Sequence, residues 1–276
     1  MPAPNPRHFE VDRALLHRGG EARGWANLGD WSRATSYAEA CEALAVRVGE
    51  AAALRAGDVV LEAACGEGEG LSVWLERFGV QRATGLDVHP RFLENARSRL
   101  SDAFGARARF ELGDAVDLRR FPSESFDAVL CVDAAYHFDP RRRFVEEAVR
   151  VLRPGRRLAL SDLVLHHDPR GPSGSVAIAL AARACNIPRR NMMTEERYLE
   201  ELARAGLEDL TIEHLDVEVL GGFSRFVRRH RRANGDEPSE GWRKLVVTAW
   251  AAEVAHRRRW LRYVVVSGAR GAQGKR

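Results

Sequence analysis

Blocks of apolar and polar residues alternate along most of this chain, and their lengths switch between those of strands and those of helices. Residues 35–54, TSYAEACEALAVRVGEAAAL, space apolar side chains helically behind Thr35 or Ser36, either of which can cap an amphipathic helix. GDVVLEA (57–63) is a short apolar run after a turn, the mark of a buried strand. GLSVWLERF (70–78) follows as a helix and RATGLD (82–87) as a second strand. The helix HPRFLENARSRLSDAF (89–104) has Pro90 in its first turn, where a missing N–H is harmless. Strands are predicted at 108–114 and 125–134, then a helix at 139–155 ended by Pro154-Gly155, and a strand at 156–165. This regular alternation implies βαβ units, hence a parallel sheet with helices on both faces.

After residue 165 the pattern loosens. HHDPRGPSGS (166–175) reads as a loop, and 176–192 as a short helix and lid. TEERYLEELARAG (194–206) reads as a helix with a capping-box start, and LEDLTIEHLDVEV (207–219) as a strand. Residues 221–257 read as largely helical, 259–270 as a closing strand, and 271–276 as a frayed tail. The organisation expected is a segment 1–34, a core 35–165, and a part 166–270 that completes the sheet with insertions at 166–192 and 221–257.

Composition narrows the class. The chain has 276 residues, 45% of them hydrophobic, enough for one large domain. It has no run of about 18 apolar residues, and MPAPNPRHFEVDR lacks the basic and apolar regions of a secretory signal. A cytoplasmic protein without a membrane span is expected. The cysteines, at 41, 65, 131 and 185, form no CxxC and no metal-ligand spacing, so neither a disulfide framework nor a metal site is expected. The net charge of +4 is carried almost wholly by arginine, since Lys stands only at 244 and 275. The basic runs at 225–232 and 256–260 are offset by 39 acidic residues and read as solvated helix faces, so no nucleic-acid partner is expected.

The chemistry centres on VVLEAACGEGEG (59–70), a glycine-rich turn between a strand and a helix. Such a turn lets a ligand approach the backbone closely. A phosphate-binding P-loop needs Lys and Ser/Thr after the last glycine, but Leu71-Ser72 follow. A dinucleotide site needs GxGxxG, but the glycines stand at 66, 68 and 70, and Glu67 and Glu69 would repel a pyrophosphate. S-adenosylmethionine has a sulfonium, an ammonium and a carboxylate but no phosphate, and it tolerates an acidic loop; Glu62 could face the ammonium. Asp87, at the tip of the second strand, can accept both ribose hydroxyls, or can serve as a helix N-cap before His89-Pro90. Asp114 in LGDA can accept the adenine amine at the tip of the third. Three acids at neighbouring strand tips converge on one crevice.

These stretches, with TGLDVHPRFLENAR, FELGDAVDL, FPSESFDAVLCVDAAYHF and EEAVRVLRPGRRLALSDLVL, resemble in order and spacing the motifs of class I S-adenosylmethionine-dependent methyltransferases over residues 57–165. The resemblance implies a Rossmann-like α/β fold, a seven-stranded, mostly parallel sheet with an antiparallel last strand and helical lid insertions. It implies a cofactor site at Glu62, Ala64, Gly66 and Gly68, at Asp87 and Val88, at Asp114 and Ala115, and at Val132 and Asp133; Asp133 could instead cap the strand turn. Two departures are Ala64, where the family commonly has Gly, and Arg156, where RPGG is usual. WANLGDWSRATSYAEACEAL resembles the GYW segment of small-molecule methyltransferases that act on polyketides, natural-product sugars, tocopherols and prenyl or sterol lipids. That segment covers the cofactor in the family, which nominates Asn27, Trp31 and Tyr37; plain aromatic core packing is the alternative.

Methyl transfer is an in-line displacement at a carbon already activated by the sulfonium. A hydroxyl acceptor also requires proton removal, for which His137 in DAAYHF has a suitable pKa; packing beside the cofactor is the alternative. By resemblance to sugar O-methyltransferases, Asp162 in the fifth strand would orient it, and Tyr136 would stand where a second His can occur. Tyr136, His137, Met192 and Met193 are the candidate substrate contacts, the last two suiting a lipophilic acceptor or, equally, core packing under a lid. No NPPY or DPPY motif follows the fourth strand, which argues against methylation of nucleic-acid amines. The expectation is O-methylation of a small, lipophilic or glycosylated metabolite in bacterial secondary metabolism. The alternatives are C-methylation of a prenyl, sterol or quinone-type substrate, an NAD-dependent oxidoreductase, and a non-catalytic cofactor-binding regulator. A homodimer is allowed by this reading.

Overall fold

The computed structural model describes residues 16, 24–168, 176, 179, 182–183, 185–234 and 240–272. The elements in chain order are α1 (Tyr37–Ala51), β1 (Val59–Ala63), α2 (Glu69–Glu76), β2 (Arg82–Asp87), α3 (Pro90–Phe104), β3 (Ala108–Leu112) and β4 (Phe126–Cys131). There follow α4 (Arg141–Val151), β5 (Leu152–Leu165), α5 (Glu195–Arg204), β6 (Leu207–His214), α6 (Gly222–Asn234), α7 (Glu240–Arg257) and β7 (Leu261–Arg270). The strands form one seven-stranded sheet in the order β3-β2-β1-β4-β5-β7-β6. β7 runs antiparallel to both β5 and β6, and the other recorded pairs are parallel. The expected α/β architecture is therefore the one observed.

Burial explains the strand pattern. Every residue of β1 and β4 is buried, as a central parallel strand covered on both faces requires. β3, at the edge, is half-exposed and stops at Leu112, two residues short of the predicted end. One core cluster holds Leu44, Trp74, Phe223 and Tyr263; the other holds Phe144, Leu160, Tyr198 and Val266. Full burial of such a side chain contributes about 1.5–3 kcal/mol. Gly49 is the contact that lets α1 lie against α2, because a Cβ there would stand 2.9 Å from Trp74 Cζ3 and 2.6 Å from Phe78 Cζ just beyond the helix.

Three further departures from the sequence expectation each have a local reason. β5 begins at Leu152 rather than at Arg156, since Phe126 pairs with Leu152 and Ala128 with Arg157, so Arg153-Pro154-Gly155-Arg156 bulges out of the ladder. A bulge is where a strand tolerates proline. Arg153 and Arg156 both pair with Asp127, and Arg156 also with Asp58, which gives Arg156 a role a glycine could not fill. β6 ends at His214 because Asp216 accepts from Tyr263 N at 2.7 Å and the chain turns through a π-helical turn, Asp216–Gly221. α5 has Thr194 as N-cap but no capping box, because its third helical residue is Arg197, a donor where the box needs an acceptor.

The expected segment 1–34 and insertion 166–192 fall partly outside the described residues, as do the last four residues of the expected frayed tail. Among the described residues no helix is long and apolar enough to cross a membrane.

α1 does carry a full capping box. Ser36 Oγ accepts from Glu39 N at 3.3 Å, and the Glu39 carboxylate accepts from Ser36 N and from Thr35 N. Ser36→Ala should lower the unfolding free energy by about 1 kcal/mol in urea titration, with the m-value unchanged.

Candidate active site

β1 lies between β2 and β4, the point where the strand order reverses, so the loops leaving the carboxyl ends diverge and open a crevice. Cys65 N bonds Leu86 O at 3.1 Å, and Gly66 N bonds Asp87 Oδ2 at 2.9 Å. Gly66 sits at φ +56°, and a Cβ there would meet nothing within 4 Å, so its backbone borders open space. Gly68, at φ +82°, lies against Leu100 of α3 instead. A side chain on Gly70 would run into the Glu62 carboxylate. Ala64 takes φ +56°, the left-handed region that favours glycine, which gives a physical reason for the family's usual Gly there.

Asp87 ties two loops together rather than capping α3, whose N-cap is His89. Oδ2 holds the glycine turn, and Oδ1 accepts from His89 N at 2.9 Å, one residue before α3. Val88 beside it is half-buried. On the next strand Gly113 N bonds Asp87 O at 2.9 Å. Asp114 is exposed and accepts from Val116 N at 3.0 Å, while Ala115 is buried in the second core cluster.

The loop glutamates do something the sequence did not disclose. Glu67 accepts from Asn95 Nδ2 at 3.0 Å and lies 3.7 Å from Arg99 Nη1. Glu69, buried, is paired with Arg99 and accepts from Gly24 N at 2.7 Å. Their charge is met by α3 and by the N-terminal segment, so it no longer argues against a pyrophosphate. Glu62 accepts from Trp74 Nε1 at 2.7 Å, and burial, which outweighs that bond, pushes its carboxyl up to about 8. Its recorded bond faces α2, not an ammonium site.

At the end of β4, Val132 is half-buried against the first core cluster and Asp133 takes φ +56°. Asp133 N donates to Ser161 Oγ at 2.8 Å. Its Oδ2 accepts from Leu28 N at 2.7 Å, and its Oδ1 from Tyr263 OH at 2.7 Å and Tyr136 OH at 2.9 Å. Burial pushes this carboxyl up to about 6 against the pull of those donors. The segment so held contains Asn27, whose amide bonds Gly29 N and Cys41 O, while Tyr37 OH donates to its carbonyl. Trp31 stacks on Phe226 of α6 at 4.5 Å and donates to Leu28 O. These aromatics pack the segment onto α1 and α6.

Just beyond, His137 Nδ1 lies 3.1 Å from Asn186 O. A carbonyl only accepts, so in the neutral ring Nδ1 carries the proton and Nε2 is the basic nitrogen. Asp162 does not orient this ring. It is fully buried and bonds Arg141 Nη1 at 2.8 Å, Tyr198 OH at 2.7 Å and Leu163 N at 2.8 Å. The reason is strand alternation: Ser161 faces Asp133 and Tyr263, so its neighbour Asp162 faces the opposite side of the sheet. The two methionines divide in the same way. Met192 packs half-buried against the cluster containing Tyr136, whereas Met193 is buried in the second core cluster. Met193 is thus a core residue, not a substrate contact.

Comparison with known proteins decides the chemistry. The family described as "Methyltransferase domain" matches residues 61–160. The erythromycin 3''-O-methyltransferase of Saccharopolyspora erythraea is 31% identical over 211 residues, 74% of this chain and 68% of that one. The chain is a class I S-adenosylmethionine-dependent methyltransferase. The 27-O-demethylrifamycin SV methyltransferase of Amycolatopsis mediterranei is 32% identical to it over 192 residues, 69% of each chain. Among solved structures, the [4+2]-cyclase SpnF superposes with a TM-score of 0.73 at 20% identity, covering 95% of the methyltransferase and 94% of the cyclase. A geranyl diphosphate methyltransferase bound to its substrate and sinefungin gives 0.73 at 18% identity, covering 94% and 96%. Those two likenesses speak for the fold alone.

Several residues of the methyltransferase site were missed in the sequence. Arg141 stands in a run of three arginines that look alike, and nothing marks it as the one that is buried. Tyr263 was findable in principle, because a phenol in the apolar run YVVV needs a polar partner. Glu62 supplies a test. Its folded pKa of about 8 lies above the ordinary 4.5, so the fold favours the neutral acid. That contribution is fully present below pH 4.5 and is lost as pH rises through 8. Urea unfolding between pH 5 and 9 should show the wild type losing more stability than Glu62→Gln, whose amide stays neutral; parallel curves would contradict this.

Proposed function

We propose that this methyltransferase transfers a methyl group to a hydroxyl of a small, lipophilic or glycosylated natural product, with His137 as the base. The observation that carries the reading is the His137 ring, whose Nδ1–H is directed at Asn186 O so that Nε2 is the proton acceptor. The two relatives described above, both at 31–32% identity, are named for methylation at oxygen or at an O-demethyl position of a natural product.

The crevice fits the cofactor. Gly66 presents backbone beside open space, and each Asp87 oxygen, bonded by one backbone N–H, retains a lone pair for a ribose hydroxyl. Asp114, exposed at the neighbouring tip, would meet the adenine amine, with Val88, Ala115 and Val132 flanking. Bound S-adenosylmethionine supplies the activated methyl group as a sulfonium. The chain's own work is to hold the acceptor hydroxyl in line near 3 Å from that carbon and to take its proton at His137 Nε2. Asn27 and Trp31 sit in the segment anchored by Asp133 and would cover the cofactor. Met192 would border the acceptor, whereas Tyr136, expected there too, is buried with its hydroxyl turned to Asp133.

Incubation with S-adenosylmethionine and a panel of hydroxylated and glycosylated lipophilic natural products should release S-adenosylhomocysteine and place the methyl on oxygen; a carbon-methylated product would overturn the reading. His137→Ala should lower turnover by roughly 10²-fold or more while S-adenosylhomocysteine still binds in calorimetry. Wild-type turnover in that variant would remove His137 from the mechanism.

A further inference from the structure

The backbone on either side of His137 is held by one amide from a distant part of the chain. Asn191 Nδ2 donates to Tyr136 O at 3.0 Å and to Phe138 O at 2.7 Å, the carbonyls that flank the histidine. The same stretch reaches the ring itself, through Asn186 O on His137 Nδ1. Residues 186–191 therefore grip both the main chain and the side chain of the base.

Asn191 is itself held. It is buried, its Oδ1 accepts from Arg141 N, and its backbone carbonyl accepts from Arg141 Nη2 at 3.0 Å. Arg141 is buried against Asp162 and lies over the Tyr198 ring at 4.1 Å. Asp162 is fixed in β5 and bonded by Tyr198 of α5. The path from sheet to base thus runs Asp162, Arg141, Asn191 and then the turn 136–138, every step a hydrogen bond or ion pair, buried as far as Asn191 and half-buried at Phe138.

We propose that Asn191 is a positioning residue of the methyl-transfer site, setting the orientation and tautomer of His137, and that the Arg141–Asp162 pair acts through it. The proposal rests on the reading of His137 as the base. A buried amide that satisfies two carbonyls restrains the turn, because losing the bond to Tyr136 O strands a buried acceptor. With the turn fixed, the ring stays against Asn186 O and Nε2 keeps its direction. A displacement of about 1 Å at such a group can cost roughly 10²-fold in rate. The segment 186–193 then does more than cover an acceptor: the site is complete only when it is in place. Asp162 is in this way connected to His137, by a longer route than a direct bond.

The test needs no knowledge of the natural acceptor. Imidazole ¹⁵N NMR of the full chain with S-adenosylhomocysteine added reports the His137 tautomer, assigned by the signal missing from His137→Ala. The wild type should show the Nδ1–H form in large excess. Asn191→Ala should reduce that excess by roughly tenfold, with calorimetric affinity for S-adenosylhomocysteine unchanged. Asn191→Asp has the same shape and cannot donate to the two carbonyls; it should behave alike and serves if the alanine variant does not fold. An unchanged His137 signal in both variants overturns the proposal. With an acceptor from the natural-product panel, Asn191→Ala should lower turnover by at least roughly tenfold in the wild-type background and leave turnover unaltered in His137→Ala; equal losses in both backgrounds also overturn it. Wild-type turnover in His137→Ala would instead overturn the reading of the base, a result the NMR signals do not depend on.

Discussion

At the carboxyl ends of the parallel strands the ladder stops and backbone N–H groups are left without a strand to bond. In this chain acidic side chains take several of them and also tie the N-terminal segment to the strand ends. Asp87 accepts from Gly66 N and His89 N, Asp133 from Leu28 N, Asp114 from Val116 N and Glu69 from Gly24 N. The crevice exists because these bonds hold diverging loops apart and still satisfied. Asp87 matters most, since it joins the tips of β1 and β2 and fixes the glycine turn at the switch point. The acids that a ligand would meet are first the acids that build the site.

The second half of the site depends on groups removed from water. Arg141 and Asp162 form an ion pair at 2.8 Å with almost no exposure on either side. Such a pair adds little net stability, because desolvation offsets the attraction, but breaking it leaves a buried charge uncompensated. It therefore enforces one arrangement of β5, α4, α5 and the stretch around Asn191. Asp133 does the same on the other face of β5, where Ser161, Tyr136, Tyr263 and Leu28 N converge on one residue. Sheet alternation at residues 161 and 162 thus sends one strand into two separate polar networks.

Much of this could be read from sequence, and the limits have physical causes. The sheet was legible because apolar runs such as VVLEA and FDAVLC must be buried on both sides, and the glycine turn because its residues have few alternatives. Strand ends were not, since Pro154-Gly155 reads as a helix stop whether or not a bulge follows. The partners of charged residues were illegible for the same kind of reason. Arg99 lies 30 residues from Glu69, and Arg141 lies 21 from Asp162. Only the fold brings them together, and it turned two glutamates read as a ligand surface into internal ion pairs. Resemblance had placed Asp162 beside His137; one residue of strand register moved it to the other face.

The central claim is that Asp87 both shapes the crevice and receives the cofactor's ribose. Calorimetric titration of S-adenosylhomocysteine into wild-type protein and Asp87→Asn addresses it directly. The account predicts binding by the wild type and an affinity weakened by roughly 10- to 100-fold in the variant. Equal affinity in the two proteins would contradict it.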